Sequence, residues 1–146
     1  LDLFSVAYTS FAVVKIDAAD TSWAFRASSN KNGAIGYCVS GSTSVAVAVN
    51  ATGTITYYAN GVLFTGTQRT QLYSHVGTGT PVIVRANDAT QITYNGFSIG
   101  VQGDNAQFGQ GSLVAEYILV PSSGLTTDQI TATEAYLANK WGITLP

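Results

Sequence analysis

Two neighbouring stretches decide the fold: Leu113–Val120, which reads LVAEYILV, and Leu125–Ile143, which reads LTTDQITATEAYLANKWGI. The first is an apolar run rich in branched side chains, interrupted by one acid, Glu116. It reads as a strand, and Pro121 ends it. The second reads as a helix from Thr127 to Trp141. Thr126 is placed to cap it, and Gln129, three residues later, can reach back to the cap. Leu125 and Ile130 stand on either side as a hydrophobic staple. Asp128 in the first turn and Lys140 in the last suit the helix dipole. Gly142 is the stop signal. Ile130, Leu137 and Trp141 share one stripe, with Thr133 and Glu134 between them. This pairing predicts a β layer with an amphipathic helix laid on it.

Upstream, the chain reads as strands cut by turns. Phe4–Tyr8 alternates, whereas Phe11–Val14 is apolar on both faces, as in a strand buried between layers. Asp17–Asp20 breaks the run. Short strands are predicted over Ser22–Arg26, Ala34–Val39 and Val45–Val49. Asn60-Gly61 joins Thr54–Tyr58 to Val62–Phe64, and Asn95-Gly96 joins Ile92–Tyr94 to Phe97–Ile99. Asn-Gly favours a type I′ hairpin because both central residues need positive φ. Between these hairpins, Leu72–Val76 and Val82–Val84 read as short strands separated by Gly77–Pro81. Many short strands with one terminal helix predict an all-β, antiparallel jelly-roll sandwich carrying a single C-terminal α-helix.

Composition bounds the function. The 146 residues suit one domain spanning 1–146. Only 10% of them are charged, well below the roughly 25% usual in soluble proteins. The formal net charge is -2 and the pI is about 5.0, so neither a long-range field nor a basic patch exists to recruit nucleic acid. No apolar run is long enough for a membrane helix. The opening stretch, Leu1–Val14, contains Asp2 and lacks a basic segment, so it does not read as a signal peptide. Surface polarity falls to Ser, Thr, Asn, Gln and Gly, a composition that suits an extracellular or virion setting. The single cysteine, Cys38, can form no internal disulfide and no zinc site of its own, and its apolar strand makes it a buried thiol.

The residues also carry a family likeness. Leu113–Val120, Leu125–Ile130 and Glu134–Ile143 resemble the closing segment of a concanavalin A-like, laminin-G-like jelly-roll domain. Tyr58–Leu63 is similar to that family's Tyr-x-Asn-Gly-x-Leu hairpin, and Phe97–Gly100 to its x-x-Ile-Gly strand. Phe4–Val6 and Phe11–Lys15 resemble its Phe-x-Val-Phe-Ala-Val-Val-Lys strand, with an insertion or a shifted register. The likeness implies the concanavalin A-like sandwich. It also implies a further N-terminal segment, which this chain lacks, so that an upstream part or a neighbouring chain would complete the sheet. Such domains recur in bacteriophage head decoration, fibre and tail proteins and in secreted bacterial adhesins, and fold alone does not choose among them.

Candidate sites are few. Glycoside hydrolysis needs two carboxylates converging on one cleft. Glu116 and Glu134 are the only glutamates, one on the last strand and the other on the helix, and no aspartate alternates with either. No catalytic residues are therefore assigned, and Glu116 reads as a structural acid met by backbone or by a sheet neighbour. Ser74 and His75 would point to opposite faces of a strand, which defeats a nucleophile–base pair. His75 reads instead as a surface or turn-edge residue. Calcium is the one cofactor worth weighing, with Asp104, Asn105 and Gln107 in one loop and Asp17 and Asp20 in another as oxygen donors. Neither spacing is that of a calcium loop, and turn chemistry accounts for both. Trp23, Tyr57, Tyr58, Tyr73 and Tyr94 are the aromatics that could stack on a sugar. Tyr57 and Tyr58 must face opposite sides, one in the core and the other exposed, and core packing is the favoured role for most of these rings. Tyr58, Asp104, Asn105 and Gln107 are the ligand candidates. Asn50-Ala51-Thr52 matches a glycosylation acceptor, relevant only in a eukaryotic secretory setting. Ile130, Leu137, Trp141, Glu116, Asn60 and Gly61 read as structural.

Two functions fit these residues. The first is a non-enzymatic structural or attachment module on a virion surface, partnered by other virion or surface chains in a homo-oligomer or larger assembly. The second is a carbohydrate-binding, lectin-like module of a secreted bacterial protein, partnered by glycan. Neither engages nucleic acid or membrane.

Overall fold

The computed structural model describes residues 7–19, 22–27, 34–39, 55–88 and 112–146, with 22–27 and 34–39 described as backbone. Its elements are β1 (Tyr8–Lys15), β2 (Ser22–Ala27), β3 (Ala34–Val39), β4 (Ile55–Ala59), β5 (Val62–Leu63), α1 (Arg69–Val76), β6 (Val82–Asp88), β7 (Leu113–Pro121) and α2 (Thr127–Trp141). Five strands form one antiparallel sheet in the order β5-β4-β6-β1-β7, and β2 pairs with β3 separately. The expected strand at Val45–Val49, the second Asn-Gly hairpin, the acceptor Asn50-Ala51-Thr52 and the loop of Asp104, Asn105 and Gln107 lie outside the described residues.

The apolar stretch around Phe11–Val14 becomes the central strand. All of Tyr8–Val14 is buried, because β1 has β6 on one side, β7 on the other and a packed layer over each face. On one face Phe11, Val13 and Ile83 meet Leu137 and Ala138 of α2, with Ile118, Val120, Leu125, Ile130, Ile143 and Leu145 packed around them. On the other face Ala12, Val14, Ile16, Tyr57, Val82, Val84 and Ala86 meet Leu72 and Val76 of α1. The backbone of β3 runs beside α1. A bulge opposite Val13 and Val14 lets β7 skip Ala115. It keeps Glu116 in register with Val13 while Val114 stays with Val14.

The helix α2 has the bounds that its caps dictate. Thr126 Oγ1 accepts from Gln129 N at 3.2 Å, and Gln129 Oε1 accepts from Thr126 N at 2.8 Å. Gly142 closes it in the left-handed region at φ 65°. The staple residues Leu125 and Ile130 both pack against the Phe11 cluster. At the first hairpin, Asn60 and Gly61 take φ of 48° and 80°, the signs that a type I′ turn requires.

Leu72–Val76 corrects the sequence reading. It is not a strand but part of α1. Gln71 Oε1 accepts from Thr67 N and Gln68 N at 3.0 Å each, tying down the helix start. Leu72 and Val76 are the two buried residues of α1, one helical turn apart. A run of apolar residues at positions 72, 73 and 76 satisfies both periods, and the local bonds at Gln71 decide for the helix.

Candidate functional site

Two side-chain clusters fasten α2 to the sheet, and each holds an ion pair. The first lies over β4 and β6. Arg85 and Tyr58 are register partners, so their side chains rise from one face. The Arg85 guanidinium lies 3.5 Å from the centre of the Tyr58 ring, and Arg85 Nε donates to Glu134 Oε1 at 2.8 Å. Both charged side chains are nearly enclosed, at 8% and 10% exposure. A bare charge at that depth would cost several kcal/mol, so the pair and the ring explain each other. A Cβ built on Gly61 would stand 3.7 Å from Glu134 Oε2, so the hairpin turn passes close beneath the helix.

The second cluster lies at the rim strand β7. Glu116 Oε2 accepts from Trp141 Nε1 at 2.8 Å and pairs with Lys140 Nζ at 3.0 Å. Lys140 also donates to Tyr136 Oη at 3.1 Å, and its ammonium stands 5.4 Å and 5.6 Å from the Tyr136 and Trp141 ring centres. The Trp141 and Lys140 hydrogen bonds hold the Glu116 carboxyl below its usual 4.5. The Tyr136 and Glu116 bonds raise Lys140 above its usual 10.5.

These positions revise several expectations. Glu116 is met by the helix rather than by backbone or a sheet neighbour. Leu137 is buried and Ile130 half-buried against the sheet as expected, but Trp141 is 38% exposed. It stands in the last turn beside β7, the rim strand of the sheet among the described residues, and its indole N–H finds Glu116. Glu134, read as a bystander between stripe residues, is buried at 7% exposure. Its partner on β6 is far away in sequence, and no local pattern announces it.

Among the expected aromatic ligands, Tyr57 is core and Tyr58 is half-covered beneath Arg85. Among the residues whose side chains are described, the exposed aromatics are instead Tyr136 and Trp141. Asp17 serves a turn, accepting from Ala19 N at 2.8 Å. No group of three or more His, Cys, Asp or Glu suited to a metal occurs among the described residues. Ser74 bonds back to Thr70 O, while His75 Nε2 meets Val62 O at 3.1 Å and its ring tilts against Phe64.

No family model, curated protein or solved structure matches the chain. No helix among the described residues is long and apolar enough to cross a membrane.

Proposed function

We propose that the chain is a non-enzymatic attachment module, a concanavalin A-like jelly roll on a virion or other extracellular surface, joined to neighbouring chains by strand addition. The observation that carries this reading is the place of β7. It is a nine-residue strand at the rim of the five-stranded sheet, and among the described residues it pairs with β1 alone. A rim of that length presents a row of backbone donors and acceptors that proteins normally pair or cover. Main-chain bonds to an added strand would give affinity, and alternate side chains would give selectivity. Leu113, at one end of β7, is 60% exposed and would be covered in such a contact. The commitment of both glutamates to fastening α2 favours a structural use of the acids over bond cleavage.

The test is sedimentation velocity over a concentration series, comparing the wild type with Ala115→Lys. Ala115 is exposed and sits at the bulge, so the new charge should spare the fold and block the rim. The wild type should self-associate, and the variant should remain monomeric with an unchanged melting curve. A wild type that stays monomeric at high concentration would remove the reading.

A second reading, glycan binding, is favoured by the exposed Tyr136 and Trp141 rings beside Lys140 and Glu116. Sugars offer apolar ring faces to such aromatics and hydroxyls to the charged groups. A glycan array that stays blank with and without calcium would eliminate it.

A further inference from the structure

A cleft of about 460 Å³ lies at the first hairpin, whose turn residue Gly61 neighbours Glu134 of the first cluster. Its lining comes from the hairpin (Ala59, Asn60, Val62), the end of α1 (His75, Val76), the start of β6 (Val82) and residues 144–146. That volume falls within the range of small-molecule pockets.

Three polar side chains meet apolar walls there, and two of them are held in place. Asn60 N donates to Ile83 O, and Asn60 Oδ1 accepts from Ile83 N, both at 2.8 Å. The amide is thereby oriented, and its Nδ2 keeps two donors with no partner among the described residues. His75 Nε2 faces the Val62 carbonyl at 3.1 Å. A carbonyl only accepts, so in the neutral ring Nε2 carries the proton and Nδ1 is an acceptor. The ring is steadied by Phe64, with centroids 5.4 Å apart. Thr144 adds a hydroxyl. No Lys, Arg, Asp or Glu lines the cleft.

From this set we infer a binding site for a small neutral molecule with a carboxamide or lactam head on an apolar body. The head's carbonyl would accept from Asn60 Nδ2, and its N–H would donate to His75 Nδ1. The body would rest on Val62, Val76, Val82 and Leu145. A carboxylate would bring a charge that no side chain here neutralises, and a hydrocarbon would leave the oriented donors unpaired.

The probe is benzamide, titrated into ¹⁵N-labelled full chain and followed by amide chemical shifts. Saturable shifts are expected at Ala59, Asn60, Val76 and Val82. Sodium benzoate and toluene should each bind about tenfold more weakly, the upper end of the value of one hydrogen bond. Asn60→Asp keeps the acceptor for Ile83 N and tolerates the positive φ, but replaces the donors. It should weaken benzamide by about tenfold without altering the wild-type amide pattern elsewhere. N-acetylglutamine methylamide carries the same head on a flexible polar body and should bind more weakly than benzamide. Absence of shifts at millimolar benzamide, equal binding of benzoate or toluene, or an unaffected Asn60→Asp would each overturn the assignment. Tighter binding of the glutamine compound would also overturn it, by assigning the cleft to a partner's side chain. None of these outcomes depends on whether β7 recruits a neighbour.

Discussion

Glu134 and Glu116 both fasten α2 to the sheet, one reaching from the helix to β6 and the other from β7 to the helix. Glu134 is enclosed and its Arg85 partner lies over a tyrosine ring, whereas Lys140, the partner of Glu116, is 44% exposed. The contrast separates two uses of charge. The enclosed pair contributes little net stability compared with apolar side chains of equal volume, yet losing one member strands the other. The rim pair is screened by water and salt, and losing either member costs little. The first dictates where the helix sits, and the second trims its last turn.

The largest effect should follow from stranding the buried charge. Glu134→Ala is expected to destabilise the fold by about 3–5 kcal/mol in chemical denaturation. A loss below about 1 kcal/mol would show that water reaches Arg85 and that the two ties are of one kind. The double change Arg85→Met with Glu134→Leu sharpens the contrast from the other side. It should restore the melting temperature to within a few degrees of the wild type, since apolar replacements of buried pairs are often neutral or stabilising. A third measurement concerns the rim. Trp141→Ala should cost only about 1 kcal/mol, because the ring is partly exposed and contributes one hydrogen bond. A loss of 3 kcal/mol or more would place the indole in the core and merge the clusters.

The smallest effect is a pH dependence confined to the end of α2. The folded pKa of Glu116 is depressed, so its stabilisation is present above the ordinary 4.5 and is lost as pH falls through the lower folded value. Lys140 is raised, so its share is complete below 10.5 and is lost as pH rises through the higher folded value. Hydrogen exchange at the last turn should therefore be slowest between these limits once corrected for intrinsic rates. Glu116→Gln should remove the acid limb, and a limb that survives would assign the effect to another group.

What could be read from the sequence follows the reach of each interaction. The bounds of α2 were legible because Thr126, Gln129, Asp128, Lys140 and Gly142 all lie within a turn of its ends. The Asn60-Gly61 hairpin was legible for the same reason. α1 was not, because Leu72, Tyr73 and Val76 suit either a short strand or one helical turn. The Arg85–Glu134 tie was hidden, since forty-nine residues separate its members. The stripe predicts packing for Trp141, but a stripe carries no information about which strand of the sheet lies beneath each turn. The cleft escaped for a similar reason: Asn60 announces a turn, while its neighbours His75 and Thr144 come from segments whose meeting depends on the whole sheet.

The seclusion of β1 bears on how the molecule reaches its native state. Phe11 finds Arg85 and Ile118 only after roughly a hundred residues have been synthesised, so the central strand waits for nearly every contact it makes. Until then its TSFAVV segment is a bare, uncharged ribbon of strong β propensity, the kind of segment that seeds aggregates. Yield during expression should therefore respond more to temperature and chaperone supply than equilibrium stability alone would suggest.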